Sequence, residues 1–293
     1  MQSKFGTFHP TVIFLYFIVT IAFSIFVMHP VFLAISLITS ITYSIILSGS
    51  KALKFNIYII LPMALVSIII NIVFNHNGQT VVGYLPWDAP ITYESIVAGL
   101  ATAAMIAVVI CWFSCYNVIM TSDKFIYIFG KRLPSISLIL SMIFRFVPRF
   151  KAHFKKTVIA QRCIGYDIST GKLSQRIKNL TKVMSVMTSW ALENSVETAD
   201  SMKGRGYGIK GRTNFIIYKF QKNDLVALIY IIISFAYIFI NILKNGVAYE
   251  YYPTVNIQMD LTEVFVAFLL LCAMPIIIEI QEILKWKYFQ SQI

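Results

Sequence analysis

Apolar runs close to the length of a membrane crossing alternate with short polar breaks along most of the chain. A helix needs about 20 apolar residues, rising 1.5 Å each, to cross a ~30 Å hydrocarbon core. Six stretches approach that length: Thr11–Met28, Val31–Ser48, Phe55–Phe74, Ile96–Met120, Asp224–Ile242 and Leu261–Ile280. The pattern predicts six transmembrane helices. Only His29 and Pro30 separate the first two, which predicts a tight antiparallel hairpin. Pro62 and Pro275 fall inside spans and predict kinks, because proline removes a backbone donor and crowds the preceding turn.

Between the fourth and fifth spans the pattern changes. The run Leu133–Phe144 is apolar but too short to cross, and suits a helix lying in or re-entering the interface. Phe146, Phe150, Phe154 and Val158 then recur at every fourth position, with Arg149, Lys151, Lys155 and Lys156 around them, which predicts a cationic amphipathic helix. Gly165 offers its stop, since glycine accepts the left-handed conformation of a C-terminal cap. A second, longer helix is predicted from about Ser174 to Lys203, roughly 45 Å at 1.5 Å per residue. Its apolar stripe runs through Ile177, Leu180, Met184, Met187 and Ala191, then in a slipped phase through Ser195, Ala199 and Met202. Each helix ends in a short glycine-containing motif, "AQRCIGYD" and "SMKGRGYG". In the second, Gly206 and Gly208 end the helix and Arg205 sits at the tip, where a cation complements the helix dipole and can reach a partner's carboxylate.

Composition turns this periodicity into a class. The 293 residues are 58% hydrophobic and 13% charged. One water-facing core cannot hide that much apolar surface, so the chain reads as an all-α integral membrane protein. Its organisation is a four-helix membrane region over residues 1–120, a basic region over 121–223 and a two-helix membrane region over 224–293. The N-terminal "MQSKFGTFHP" has one lysine and no small-residue cleavage site ahead, so the first apolar run is expected to remain a membrane helix.

Charge then supplies the orientation. The 121–223 segment holds 19 of the 25 Lys and Arg against five acids, a net +14 in a chain of net +12, while the 75–95 loop has no Lys or Arg. Basic loops stay inside. An arrangement with both termini cytoplasmic puts Lys4, Lys51, Lys54, the basic segment, Lys285 and Lys287 on the cytoplasmic side of the cell membrane, and leaves only Lys244 outside. In this setting the positive charge marks cytoplasmic loops and anionic lipid rather than nucleic acid, because the basic residues alternate with a membrane-facing apolar stripe.

The chemistry-bearing residues are sparse. No HExxH, GxSxG or GxxxxGK[ST] motif occurs, and Leu173 stands where the last of these needs Ser or Thr after "GK". His9, His29, His76 and His153 are scattered and read as surface or interfacial residues. Cys111 and Cys115, one helical turn apart, read as packing residues. No catalytic dyad, metal site or cofactor site is expected. The first four spans have no ionisable residue in their central portions, which argues against a self-sufficient ion-coupled carrier.

"ADSMKGRGYG" resembles the Ala-Met-Glu-x-Arg-Gly-Tyr signature that closes the second coupling helix of the T component of energy-coupling factor (ECF) transporters, the CbiQ-like family. The likeness covers most of the chain: several spans, paired amphipathic helices, then closing spans. It implies two coupling helices on the cytoplasmic side of a non-catalytic scaffold that joins a small substrate-binding membrane subunit to two ABC-type ATPases, for ATP-driven uptake of a micronutrient such as a vitamin or metal ion. In the family each coupling helix typically ends in an Ala-Arg-Gly-like triplet that docks in a groove of one ATPase. By this resemblance the second triplet is Gly204-Arg205-Gly206, with Gly in place of Ala, and the first is Cys163-Ile164-Gly165. The first lacks the arginine, and Arg162 lies two positions earlier. Either Arg162 serves in its place or the apolar Ile164 is buried instead. The alternative function is an independent carrier or channel, with Pro-containing spans and Asn71 supplying its site. A conventional ABC permease would need a Glu-Ala-Ala-type cytoplasmic loop, which is missing.

Overall fold

The computed structural model describes residues 3–84, 90–130, 134–207, 218–245, 249–253, 255–257 and 262–290. Two units emerge: Met1–Phe125 together with Tyr218–Ile293, and Ile126–Ile217.

The first unit holds α1 (Pro10–Phe26), α2 (Pro30–Ser48), α3 (Ser50–Phe74), α4 (Tyr93–Ile119), α8 (Lys222–Asn245) and α9 (Thr262–Gln290). Five of these are long and apolar enough to cross a membrane: α2, α3 from Asn56, α4, α8 to Lys244, and α9. The protein is therefore an all-α membrane protein; the strands among the described residues form two small two-stranded hairpins, β1–β2 (Val81–Tyr84, Pro90–Thr92) and β3–β4 (Tyr249–Glu250, Asn256–Ile257). The first expected span, α1, is an apolar helix of 17 residues, about 25 Å at 1.5 Å per residue. Both α1 and α2 open on a His-Pro pair. The imidazole Nδ1 of His9 accepts from Thr11 N (3.4 Å) and that of His29 from Val31 N (3.3 Å), each covering a donor that a helix start leaves unpaired. His29, expected as a surface or interfacial residue, is fully buried, with its ring against Phe265 and Phe32.

Bonded to α1 through Ser24 and Ser36 (3.0 Å), α2 nevertheless packs mainly on α4 and α9 rather than closing a simple hairpin. Trp112 of α4 explains this. It is fully buried, its Nε1 donates to Ser36 (2.8 Å), and its ring lies 5.9, 6.1 and 6.4 Å from those of Tyr16, Phe17 and Tyr43. Phe32 continues the contact toward α9, 4.9 Å from Phe268. Lipid tails are as apolar as these side chains, so close packing and hydrogen bonds hold such helices together.

The same logic joins α3 to α4. Asn71 Nδ2 donates to Thr102 Oγ1 (2.9 Å) and to Ser67 O (3.1 Å), and Asn71 Oδ1 accepts from Asn75 Nδ2 (2.9 Å). Gly99 lets the backbones approach: a Cβ there would lie 3.1 Å from Asn71 Cβ and 3.4 Å from Ile68 Cα. Both ends of the Asn71 amide are thus engaged, the Nδ2 reaching across to α4 and the Oδ1 taken up at the end of α3 itself.

The two ends of this unit differ in chemistry. At one, Ser3 Oγ donates to the buried Glu279 carboxylate, as do the backbone N–H groups of Lys4 and Phe5 (both 3.1 Å). There Lys124 Nζ donates to Gly6 O (2.7 Å) and Ile119 O (2.8 Å), and Asp224 accepts from His9 N (2.8 Å) and Gln221 N (2.8 Å). The N-terminal segment therefore gathers the end of α4, the start of α8 and the end of α9. At the other end, Met28 N donates to Tyr249 OH (3.0 Å) and Tyr251 OH donates to Met28 O (2.6 Å), tying the second hairpin to the end of α1, and Gln79 N donates to Pro253 O (3.3 Å), linking the two hairpin regions.

Candidate functional site

After the short α5 (Ser122–Gly130), two helices dominate the second unit, α6 (Pro134–Cys163) and α7 (Leu173–Gly204), of 30 and 32 residues. At 1.5 Å per residue these are about 45 and 48 Å long. The separate short helix expected over Leu133–Phe144 is instead the first part of α6, which continues through Pro148 to Cys163; Leu133 itself lies outside the described residues. A proline inside a helix removes one backbone bond, and the turns on both sides of Pro148 hold without it.

The helices run antiparallel. The His153 ring stacks on Trp190 with centroids 3.9 Å apart and planes 11° from parallel, Phe150 meets the same indole edge-on at 5.2 Å, and Thr157 Oγ1 donates to Met187 Sδ (3.7 Å). Trp190 thus selects which face of α7 turns inward. Asn179, Val183 and Met187 are buried, whereas Ile177, Leu180 and Met184 of the expected stripe are exposed. The sequence carries two adjacent apolar faces, and the indole and its stacking partner choose between them.

Both helices end in the same cap, in the same register. At the end of α6, Tyr166 N donates to Gln161 O (2.9 Å), Gly165 N to Arg162 O (3.0 Å), and Gly165 has φ +86°. At the end of α7, Tyr207 N donates to Met202 O (3.0 Å), Gly206 N to Lys203 O (2.9 Å), and Gly206 has φ +79°. Each is a Schellman motif, with glycine in the left-handed position that a side chain resists. The bonds pair Arg162 with Lys203, Cys163 with Gly204, Ile164 with Arg205, and Gly165 with Gly206. A Cβ on Gly204 would meet nothing within 4 Å, so the space for an alanine is present. Gly208, Lys210 and Arg212 lie outside the described residues.

The side chains on the two caps differ. Among the described residues the Arg205 guanidinium has no ion-pair or hydrogen-bond partner, and the residue is exposed. Ile164, in the equivalent place, is 66% exposed. Arg162 turns back, its Nε 3.1 Å from Asp167 Oδ2. Asp167 Oδ1 accepts from Ser169 N (2.9 Å) and Ser169 Oγ (2.7 Å), and its carbonyl accepts from Asn179 Nδ2 (2.8 Å). The Ser169 hydrogen bonds, helped by Arg162, hold the Asp167 carboxyl below its ordinary value, so this link is present at neutral pH and lost only as pH falls below the usual carboxylate range. Lys182 Nζ stands 3.4 Å over the Tyr166 ring. These contacts pin the α6–α7 connection, and none was legible from spacing.

The histidines are structural. His9 and His29 cap helices, His76 Nδ1 meets Pro90 O (3.0 Å), and His153 stacks on Trp190. Among the described residues no group of three or more His, Cys, Asp or Glu is placed to hold a metal ion. What the site offers is a pair of rigid, matched helix ends beside uncovered apolar helix faces.

An all-α membrane bundle carrying a long helical hairpin with two matched ends defines a class of polytopic membrane component. A family profile described as "Cobalt transport protein" (CbiQ) matches residues 4–215, well over half of the chain, and the chain belongs to the CbiQ family. It is 33% identical over 107 residues to the "Energy-coupling factor transporter transmembrane protein EcfT" of Lactobacillus helveticus, a match covering 36% of this chain and 39% of that protein. To EcfT 1 of Listeria monocytogenes it is 33% identical over 93 residues (31% and 35%), and to EcfT of Staphylococcus aureus 32% over 98 (33% and 37%). These matches each span less than two-fifths of the relative's length.

Proposed function

We propose that the chain is the T component of an ECF-type importer: a non-catalytic scaffold in the cell membrane that couples two ABC-type ATPases to a small substrate-binding membrane subunit for uptake of a vitamin or metal ion. ATP hydrolysis belongs to the partner ATPases. The α6–α7 hairpin and its two tips lie on the cytoplasmic side, with both termini, and the tips are the ATPase contacts: Gly204, Arg205 and Gly206 on one, Arg162, Cys163, Ile164 and Gly165 on the other. The observation that carries this is the pair of matched caps closing two packed helices in a member of this family. The exposed face with Ile177, Leu180 and Met184 is the candidate surface for the substrate-binding subunit.

The spans support the scaffold over an independent carrier, because the Asn71 amide is already engaged, its Nδ2 by Thr102 of α4 and Ser67 O and its Oδ1 by Asn75. Pull-down of the tagged chain from native membranes in mild detergent, with mass spectrometry of what accompanies it, is expected to recover two ATPases and a small membrane protein. Liposomes holding the chain alone are expected to show no flux. Flux without any ATPase would favour the carrier.

A further inference from the structure

We propose that the two tips dock by different chemistry: the α7 tip through Arg205 onto a carboxylate, and the α6 tip through Ile164 into an uncharged, apolar socket of its ATPase. The proposal rests on the reading that the tips are ATPase contacts, and it assigns the kind of surface each one fits.

Three observations carry it. First, the cap bonds fix the register. Arg162 occupies the place that Lys203 holds on α7, and the place of Arg205 belongs to Ile164. Arg162 is therefore not a displaced copy of Arg205, since α7 already has a cation at the Arg162 position. Two residues apart on a helix also means about 200° around its axis, so Arg162 and Ile164 leave α6 on nearly opposite sides.

Second, the Arg162 guanidinium is engaged. Its Nε lies 3.1 Å from Asp167 Oδ2, and Asp167 is fixed by Ser169 and by Asn179 of α7. Releasing Arg162 toward a partner would leave a carboxylate at the tip facing whatever docks there.

Third, the net charges differ. Across Gln161–Asp167 one arginine and one aspartate cancel, whereas the matching stretch Met202–Gly208 carries Lys203 and Arg205 with no acid. A tip with no net charge and a 66% exposed isoleucine gains most by burying that side chain. A strongly basic tip gains most from a carboxylate. It follows that the two grooves this chain engages are not equivalent.

The test uses the full chain co-expressed with the ATPases and the substrate-binding subunit of its own transporter. Retention of the ATPases is measured for Ile164→Asn, Ile164→Leu, Arg162→Gln and Arg205→Gln, with each variant's chain checked for wild-type elution and melting. Ile164→Asn is expected to weaken assembly roughly ten- to a hundredfold. Ile164→Leu and Arg162→Gln are expected to change it severalfold at most. A photo-crosslinking residue at 164 is expected to capture an ATPase segment rich in apolar residues, and one at 205 a segment containing Asp or Glu. The proposal is overturned if Arg162→Gln weakens assembly more than Ile164→Asn, or if positions 164 and 205 capture the same ATPase segment. If neither position captures an ATPase and Arg205→Gln assembles as wild type, the docking reading itself fails.

Discussion

At the scale of single residues, the tips depend on two glycines and one arginine. Gly165 and Gly206 hold positive φ at the caps, so any Cβ there is strained. Gly206→Val is expected to destabilise the α7 cap by about 1–2 kcal/mol and fray Arg205 away from its place. Gly204→Ala is expected to assemble as wild type, or to stabilise the helix by up to about 1 kcal/mol, because its Cβ meets nothing within 4 Å. Melting of the purified chain separates these outcomes. The glycine stops were legible in the sequence, because glycine just past an apolar period has a specific geometric use. The engagement of Arg162 was not: its partner Asp167 is placed by a connection whose path depends on Ser169 and Asn179. Nor were His9 and His29 legible as helix caps, since a histidine before a proline gives no hint that its ring will turn back to the next backbone N–H.

At the scale of elements, helix type and the length of α7 were legible, whereas the continuation of α6 through the expected short helix and the inward face of α7 were not. Of the expected stripe Met187 turns inward with Asn179 and Val183, while Ile177, Leu180 and Met184 stay outside, a choice set by Trp190 against His153 and Phe150 and by Thr157 on Met187. Trp190→Ala is therefore expected to loosen the α6–α7 pair by about 2–3 kcal/mol, less than the cost at a fully buried site. Limited proteolysis should then cut faster in the 164–172 connection, whereas an unchanged rate would assign the pairing to other contacts. Within the membrane unit, Thr102→Val removes the acceptor that Asn71 uses and is expected to cost about 1 kcal/mol of α3–α4 association. Gly99→Leu is expected to cost more, since Asn71 and Ile68 already stand against that position. Thermal unfolding in a fixed detergent ranks the two.

At the scale of the whole molecule, the tips are proposed to lie in the cytoplasm, and the chain carries its own reporter of this topology. Cys111, Cys115 and Cys272 are buried and Cys163 is exposed at the α6 tip. A membrane-impermeant maleimide is expected to label Cys163 in inside-out vesicles and not in right-side-out ones, and the reverse would invert the topology. Bound ATPases are expected to slow that labelling. The all-α membrane class was legible at this scale because length and apolar content are additive properties of the chain. The way α2 divides its packing between α4 and α9 was not, because it follows from one indole, Trp112, finding Ser36 across the bundle.

The central claim is that a helix tip of a non-catalytic scaffold transmits the work of ATP hydrolysis. The most direct measurement compares wild type with Arg205→Glu in the complete transporter, scoring ATPase retention and ATP-driven substrate uptake together. The account predicts that reversing this charge releases the ATPase held at the α7 tip and abolishes uptake, while the substrate-binding subunit stays bound. Undiminished assembly and undiminished uptake in Arg205→Glu would contradict it.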